Sequence, residues 1–142
     1  MKKILLIQGA NMEYLGIRQP ELYGTTTAAE LDALLLKKAP EHGFELDIRY
    51  TNTEGEAINW IFEADRGDTN GLLMNPAGFL FAGYALRDCL KATSLPYIEI
   101  HMTNIDRREY HSVIAPAADG MITGLGIRSY LVALAAMQLA LE

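Results

Sequence analysis

Gly71-Leu72-Leu73-Met74-Asn75 (GLLMN) is the stretch that decides the fold. Three consecutive apolar residues carry no polar alternation, and an asparagine closes the run. A strand that is apolar on both faces has to be covered on both, as in parallel sheets wrapped by helices. Working outward, Lys3–Gln8 has the same unbroken character, and Pro96–His101 (PYIEIH) and Gly120–Thr123 (GMIT) are two further short strands. Phe44–Tyr50 (FELDIRY) alternates apolar and polar residues, which suits a strand with one wetter face near a sheet edge. Helix-period segments lie between these runs. Thr27–His42 sets Leu31, Leu34, Leu35 and Ala39 on one face, with Thr27 as cap and Gly43 as stop. Glu54–Ala64 has an apolar stripe of Ala57, Ile58, Ile61 and Phe62, and Ala82–Ala92 and Ile127–Glu142 complete the set. Five strands alternating with helices predict an α/β, flavodoxin-like three-layer sandwich. Right-handed crossovers give its parallel sheet the order 2-1-3-4-5, within a single domain over residues 1–142.

Composition narrows the function classes. A net charge of -6 argues against a nucleic-acid surface, which needs clustered Lys and Arg. A single cysteine, Cys89, permits neither an internal disulfide nor a cysteine zinc site, and it fits a reducing, cytoplasmic setting. The opening MKKILLIQG is too short for a signal-peptide core and reads as a strand, and no apolar run is long enough to span a membrane. Three scattered histidines without HExxH or His-x-His spacing predict no metal site. GLGIRS, from Gly124 to Ser129, lacks the third glycine of a dinucleotide fingerprint, so no nucleotide cofactor is expected.

In sheets of this kind ligands bind outside the carboxyl ends of the strands. The residues there are Gln8–Asn11, Tyr50–Asn52, Asn75–Gly78, His101–Asn104 and Thr123–Gly126, a polar collection rich in Asn and Gly. Gly9–Thr26, with three glycines and a proline, reads as a long loop over that end and a mobile lid. It carries Arg18 and Tyr23 with Pro20 between them. A phenol is a weak base at neutral pH, but a guanidinium beside it favours the phenolate and makes it a base able to take a proton next to a carbonyl. A surface anchor beside a solvated charge explains the same spacing, and more commonly. Glu99 and His101 alternate on one strand face, so the carboxylate can fix the imidazole's tautomer and favour its protonated form, that of a general acid. A histidine satisfied by backbone at a strand end fits equally well. Backbone N–H groups around Met102 and Thr103 suit a carboxylate, and Asn11 and Asn75 suit a water or a hydroxyl, or simply turns. His42 and His111 have no such setting and are expected at the surface.

Together the segments resemble the type II 3-dehydroquinate dehydratases (3-dehydroquinases) over nearly the whole chain. That family's N-G-P-N…L-G-x-R-x-P-x-x-Y-G appears as QGANMEYLGIRQPELYG, its S-N-x-E-G-x-x-I as TNTEGEAI, and its N-P-x-x…A-L-R-D as NPAG and ALRD. Its I-E-V-H-x-S-N strand end appears as IEIHMTN, followed by a late G-L-G turn. The resemblance implies a hydro-lyase of the shikimate pathway, acting without a cofactor on a small-molecule carboxylic acid, with trimers assembled into a dodecamer. It assigns Tyr23 as the base, Arg18 as the group that activates it, and Asn11 as the holder of a water that stabilises an enolate. His101, oriented by Glu99, is then the acid. Met102 and Thr103 bind the substrate carboxylate, Asn75 a ring hydroxyl, and Asp88 reaches a neighbouring subunit's site.

The chain departs from the family pattern chiefly where substrate hydroxyls are met. Leu80 and Phe81 stand where the family places a threonine and a histidine. The segment from His101 to Ser112 is about three residues shorter than usual, and Arg108 is the nearest candidate for the family's arginine there. Gln8, Ala10 and Glu13 replace two asparagines and a proline. Three functions follow: dehydration of 3-dehydroquinate, the same chemistry on a less hydroxylated cyclic or keto acid, or an assembly or regulatory subunit that has lost its activity.

Overall fold

A computed structural model describes residues 1–142. Its centre is β3 (Gly71–Ala77), the strand read first from the sequence, flanked by β1 (Lys2–Ala10) and β4 (Tyr97–His101), with β2 (Phe44–Tyr50) and β5 (Gly120–Thr123) at the edges. All four pairings are parallel and the order is β2-β1-β3-β4-β5, as expected. The unbroken apolar strands feed both faces alternately. From β1, Ile4 and Leu6 enter one core while Leu5 and Ile7 enter the other. α2 (Ala28–Lys38) and α5 (Arg128–Ala140) cover the first core through Leu31, Leu35, Tyr130, Ala133, Leu134 and Met137. α3 (Glu54–Arg66) and α4 (Tyr84–Ala92) cover the second through Ala57, Ile61, Ala64, Leu86, Cys89 and Leu90. β2 is an edge strand, and its polar residues Glu45 and Asp47 are exposed.

Local chemistry sets the helix limits. Thr27 caps α2 in a reciprocal box: its hydroxyl accepts from Glu30 N at 3.1 Å, and its own N–H donates to Glu30 Oε1 at 3.1 Å. The segment expected to run as one helix to His42 changes to a 3₁₀ turn over Ala39–His42, because Pro40 has no N–H to continue the α ladder. Helix α4 begins at Tyr84 rather than Ala82, after a 3₁₀ turn over Gly78–Phe81. The loop of residues 9–26 contains short regular turns. It holds a 3₁₀ turn at Met12–Tyr14 and one helical turn, α1 (Pro20–Tyr23), with Pro20 at its favoured first position.

Register brings the strand ends level. Gln8 pairs with Tyr50 on one side and Asn75 on the other, and His101 pairs with Thr123. At this end β1 and β3 nearly touch: a Cβ added at Gly9 would lie 2.2 Å from Pro76 O. Only glycine lets the strands converge there.

Candidate active site

A cavity of about 150 Å³ opens at the carboxyl ends of the strands, beneath the 9–26 loop. Its wall includes Arg18 and Tyr23 from the loop, His101, Met102 and Thr103 from the end of β4, Asn75 from β3, and Arg108 and Tyr110 from the segment after β4. Two arginines and no carboxylate line it, although the chain as a whole carries a charge of -6. The cavity therefore favours an anion.

On the loop side, Tyr23 ends α1 and is half-buried. The guanidinium of Arg18 stands 5.3 Å from the centre of its ring. The hydrogen bond to the phenol oxygen comes from Arg108, whose Nη1 donates to Tyr23 Oη at 3.1 Å and to Thr103 Oγ1 at 3.0 Å. Arg108 also stacks on Tyr110, 4.4 Å from its ring centre. The phenol oxygen thus accepts a charge-assisted hydrogen bond from a guanidinium. Arg108 touches Tyr23 directly, a contact that the spacing of Arg18 and Tyr23 does not suggest.

On the strand side, Tyr97, Glu99 and His101 alternate along one face of β4. Glu99 is 0% and His101 3% exposed. Glu99 Oε2 lies 2.7 Å from His101 Nε2, and Tyr97 Oη donates to Glu99 Oε1 at 2.7 Å. A carboxylate only accepts, so Nε2 carries the proton and Nδ1 is the remaining ring nitrogen. The turn at Gly124–Gly126 braces this end of β4, with Gly124 N donating to His101 O at 3.1 Å and Gly126 N to Met102 O at 2.9 Å. That is the structural role of the GLG motif.

A buried polar chain runs back from Asn75 at the cavity wall. Asn75 Nδ2 donates to Tyr130 Oη at 2.9 Å, and Tyr130 Oη donates to Gln8 Oε1 at 2.7 Å. Burial pushes the Tyr130 phenol above its usual range, so it stays protonated and able to donate. Asn75 Oδ1 accepts from Ala77 N at 3.0 Å and holds Ala77 at a φ of 49°, a strained value for a residue with a side chain. Asn11 is left-handed, with φ 71°, and its N–H donates to Asn52 Oδ1 at 2.8 Å. Asn52 is in turn held by Glu13 Oε1 at 2.9 Å, so the residue replacing a family asparagine has a structural task.

Comparison with known proteins shows the family. Residues 2–138 match the family model described as dehydroquinase class II. The chain belongs to that family. A 3-dehydroquinate dehydratase of Variovorax paradoxus is 43% identical over 96% of this chain and 99% of its own length. One from Dictyoglomus turgidum is 43% identical, with 96% of each chain covered. Among solved structures, the type II dehydroquinase of Propionibacterium acnes superposes with a TM-score of 0.93 at 35% identity, covering 98% of this chain and 97% of that one. A 3-dehydroquinate dehydratase-like protein of Bifidobacterium longum superposes with a TM-score of 0.76 at 31% identity, over 100% and 99%.

Of the residues singled out from the sequence, Arg18, Tyr23, Asn11, Asn75, Phe81, His101, Met102, Thr103 and Arg108 all line the cavity. Glu99 lies behind His101 and out of the cavity wall. Asp88 lies outside this cavity, exposed on α4, with its Oδ1 4.0 Å from Arg87 Nε. His111 is exposed, whereas His42 is half-buried, its Nδ1 2.7 Å from Gln138 Oε1. Sequence reasoning did not single out Tyr110, Tyr97, Tyr130 or Asn52. Tyr97 had a signal, since it precedes Glu99 by the same two-residue step that separates Glu99 from His101. No group of three His, Cys, Asp or Glu side chains is placed to hold a metal, and no helix is long and apolar enough to cross a membrane.

Proposed function

We propose that this protein is a dehydratase that eliminates water from 3-dehydroquinate to give 3-dehydroshikimate. The observation that carries this is the cavity itself, where a guanidinium-paired phenol and a carboxylate-held imidazole face the same anion-favouring space. Tyr23, aided by Arg108 and Arg18, removes the proton next to the ketone, and the electron pair passes to the ketone oxygen as an enolate. A water held by Asn11 stabilises that oxygen. The enolate collapses and expels the β-hydroxyl, which His101 protonates so that it leaves as water and a conjugated enone remains. Met102 and Thr103 receive the carboxylate, and Asn75 a ring hydroxyl. The 9–26 loop closes as a lid. Asp88 serves a neighbouring subunit in a trimer, with trimers gathered into a cytoplasmic dodecamer. The chain shares this family with relatives named 3-dehydroquinate dehydratase at 43% identity. Incubation with 3-dehydroquinate should produce the enone's ultraviolet absorbance, and Tyr23→Phe should abolish it. Wild-type turnover no greater than that of the variant would refute the assignment.

One observation favours a second substrate class. Leu80 and Phe81 line the cavity where the family places hydroxyl-binding side chains, and Phe81 packs edge-on to Tyr110 with ring centres 5.0 Å apart. A substrate hydroxyl facing Leu80 and Phe81 receives no hydrogen bond from their side chains, at a cost of about 1–3 kcal/mol for each hydroxyl left stranded. Two such hydroxyls weaken transition-state binding by roughly 10²-fold or more. A less hydroxylated cyclic or keto acid avoids that cost. If this class is the substrate, such an acid must show a higher kcat/KM than 3-dehydroquinate.

A further inference from the structure

The reaction outlined above gives Tyr97 no task, yet its side chain is 2% exposed and belongs to the core beneath α3 and α4. Phenylalanine would fill the same space without burying a hydroxyl, so packing alone does not call for tyrosine. Tyr97 Oη donates to Glu99 Oε1 at 2.7 Å, while Glu99 Oε2 meets His101 Nε2 at 2.7 Å. The two carboxylate oxygens are thus divided between two donors on one strand face. Burial, and then the charge of Glu99, push the phenol well above its usual range, so it remains a donor at every pH at which the protein would work.

We propose that Tyr97 is a positioning residue for His101, acting through Glu99. It fixes the carboxylate so that Oε2 keeps the proton on Nε2 and Nδ1 is the nitrogen that passes a proton to the departing hydroxyl. This rests on His101 being the acid of the proposed dehydration. The last torsion of a glutamate side chain is soft, with a broad range of angles. A carboxylate with one oxygen unheld in an apolar core can turn, and the imidazole then loses the partner that selects its tautomer. Tyr97 removes that freedom before a ligand arrives.

Nitrogen-15 NMR of histidine-labelled, ligand-free protein tests the geometry without any turnover. Neutral His101 in the wild type should carry its proton on Nε2, and Tyr97→Phe should show a mixture of tautomers. With 3-dehydroquinate, Tyr97→Phe should lower kcat about ten-fold with KM nearly unchanged, the loss of one hydrogen bond to a charged group. In a Glu99→Gln background the same change should add no further loss. A wild-type proton on Nδ1 overturns the proposal, as does an unchanged tautomer in Tyr97→Phe or an equal loss in both backgrounds. If Tyr97→Phe does not fold, the wild-type spectrum can still overturn the proposal by showing the proton on Nδ1. Absence of wild-type turnover counts against the proposed substrate and leaves the tautomer result standing.

Discussion

Tyr23 and His101 face one cavity but are held by different means. His101 takes its partner from two residues earlier on the same strand, and Glu99, Tyr97 and His101 are all buried. Tyr23 takes its hydrogen bond from Arg108, 85 residues away in the chain, and all of the groups involved are partly exposed. The strand half is built by the same alternation that builds the sheet, so it is in place whenever the sheet is folded. The loop half depends on two irregular segments meeting. His101, the proposed acid, is therefore preorganised, while Tyr23, the proposed base, is held only where the 9–26 loop meets Arg108.

Substitutions should separate the two halves. The largest effect on chemistry is expected from Tyr23→Phe, which should lower kcat on the order of 10²–10⁴-fold while leaving the urea unfolding midpoint where it was. Its hydroxyl sits at the cavity, so the fold loses little with it. Glu99→Ala should damage both properties, because it strands the Tyr97 hydroxyl and the His101 Nε2 proton in the core. Chemical denaturation should show a loss of about 2–6 kcal/mol, at about 1–3 kcal/mol for each stranded donor. If Glu99→Ala unfolds at the wild-type midpoint, the strand half is not the rigid one. Arg108→Ala removes one charged hydrogen bond to Tyr23 and should reduce kcat/KM by roughly ten- to a hundred-fold with stability almost unchanged.

The smallest expected effect lies outside both halves. Burial pushes the Cys89 thiol up to about 11. Its folded pKa is above the unfolded one, so its contribution is complete below about pH 8.5 and is lost as pH rises through about 11. Urea midpoints measured from pH 8 to 11 should fall less steeply for Cys89→Ala than for the wild type, while kcat/KM at pH 7 stays the same.

Much of the fold was legible because each strand announced its burial. GLLMN gave a central strand and FELDIRY an edge strand, and both positions hold. The strand half of the site was legible for the same reason, since PYIEIH spaces its residues by the period that puts them on one face. The loop half was only partly legible. The PELY turn spans four residues, too few for any helical period to show. Arg108 and Tyr110 belong to an irregular segment whose path no local pattern sets, so the sequence named Arg108 only as a nearby candidate and did not name Tyr110. Tyr130 reads as one more apolar member of the α5 stripe. Its hydroxyl matters only because Gln8 and Asn75 arrive beside it from other strands.

Gly9 bears on how such a site can change over time. With Pro76 O only 2.2 Å from where its Cβ would lie, no larger residue fits at this position without parting β1 from β3. Its neighbours Gln8 and Ala10 both differ from the family pattern, yet the glycine between them does not. One position beside the pocket, where β1 and β3 converge, is thus closed to mutational exploration, and variation in specificity is pushed outward to segments such as Phe81 and residues 102–112. A lineage adapting this pocket to a new acid can rebuild its walls more easily than the place where its strands converge.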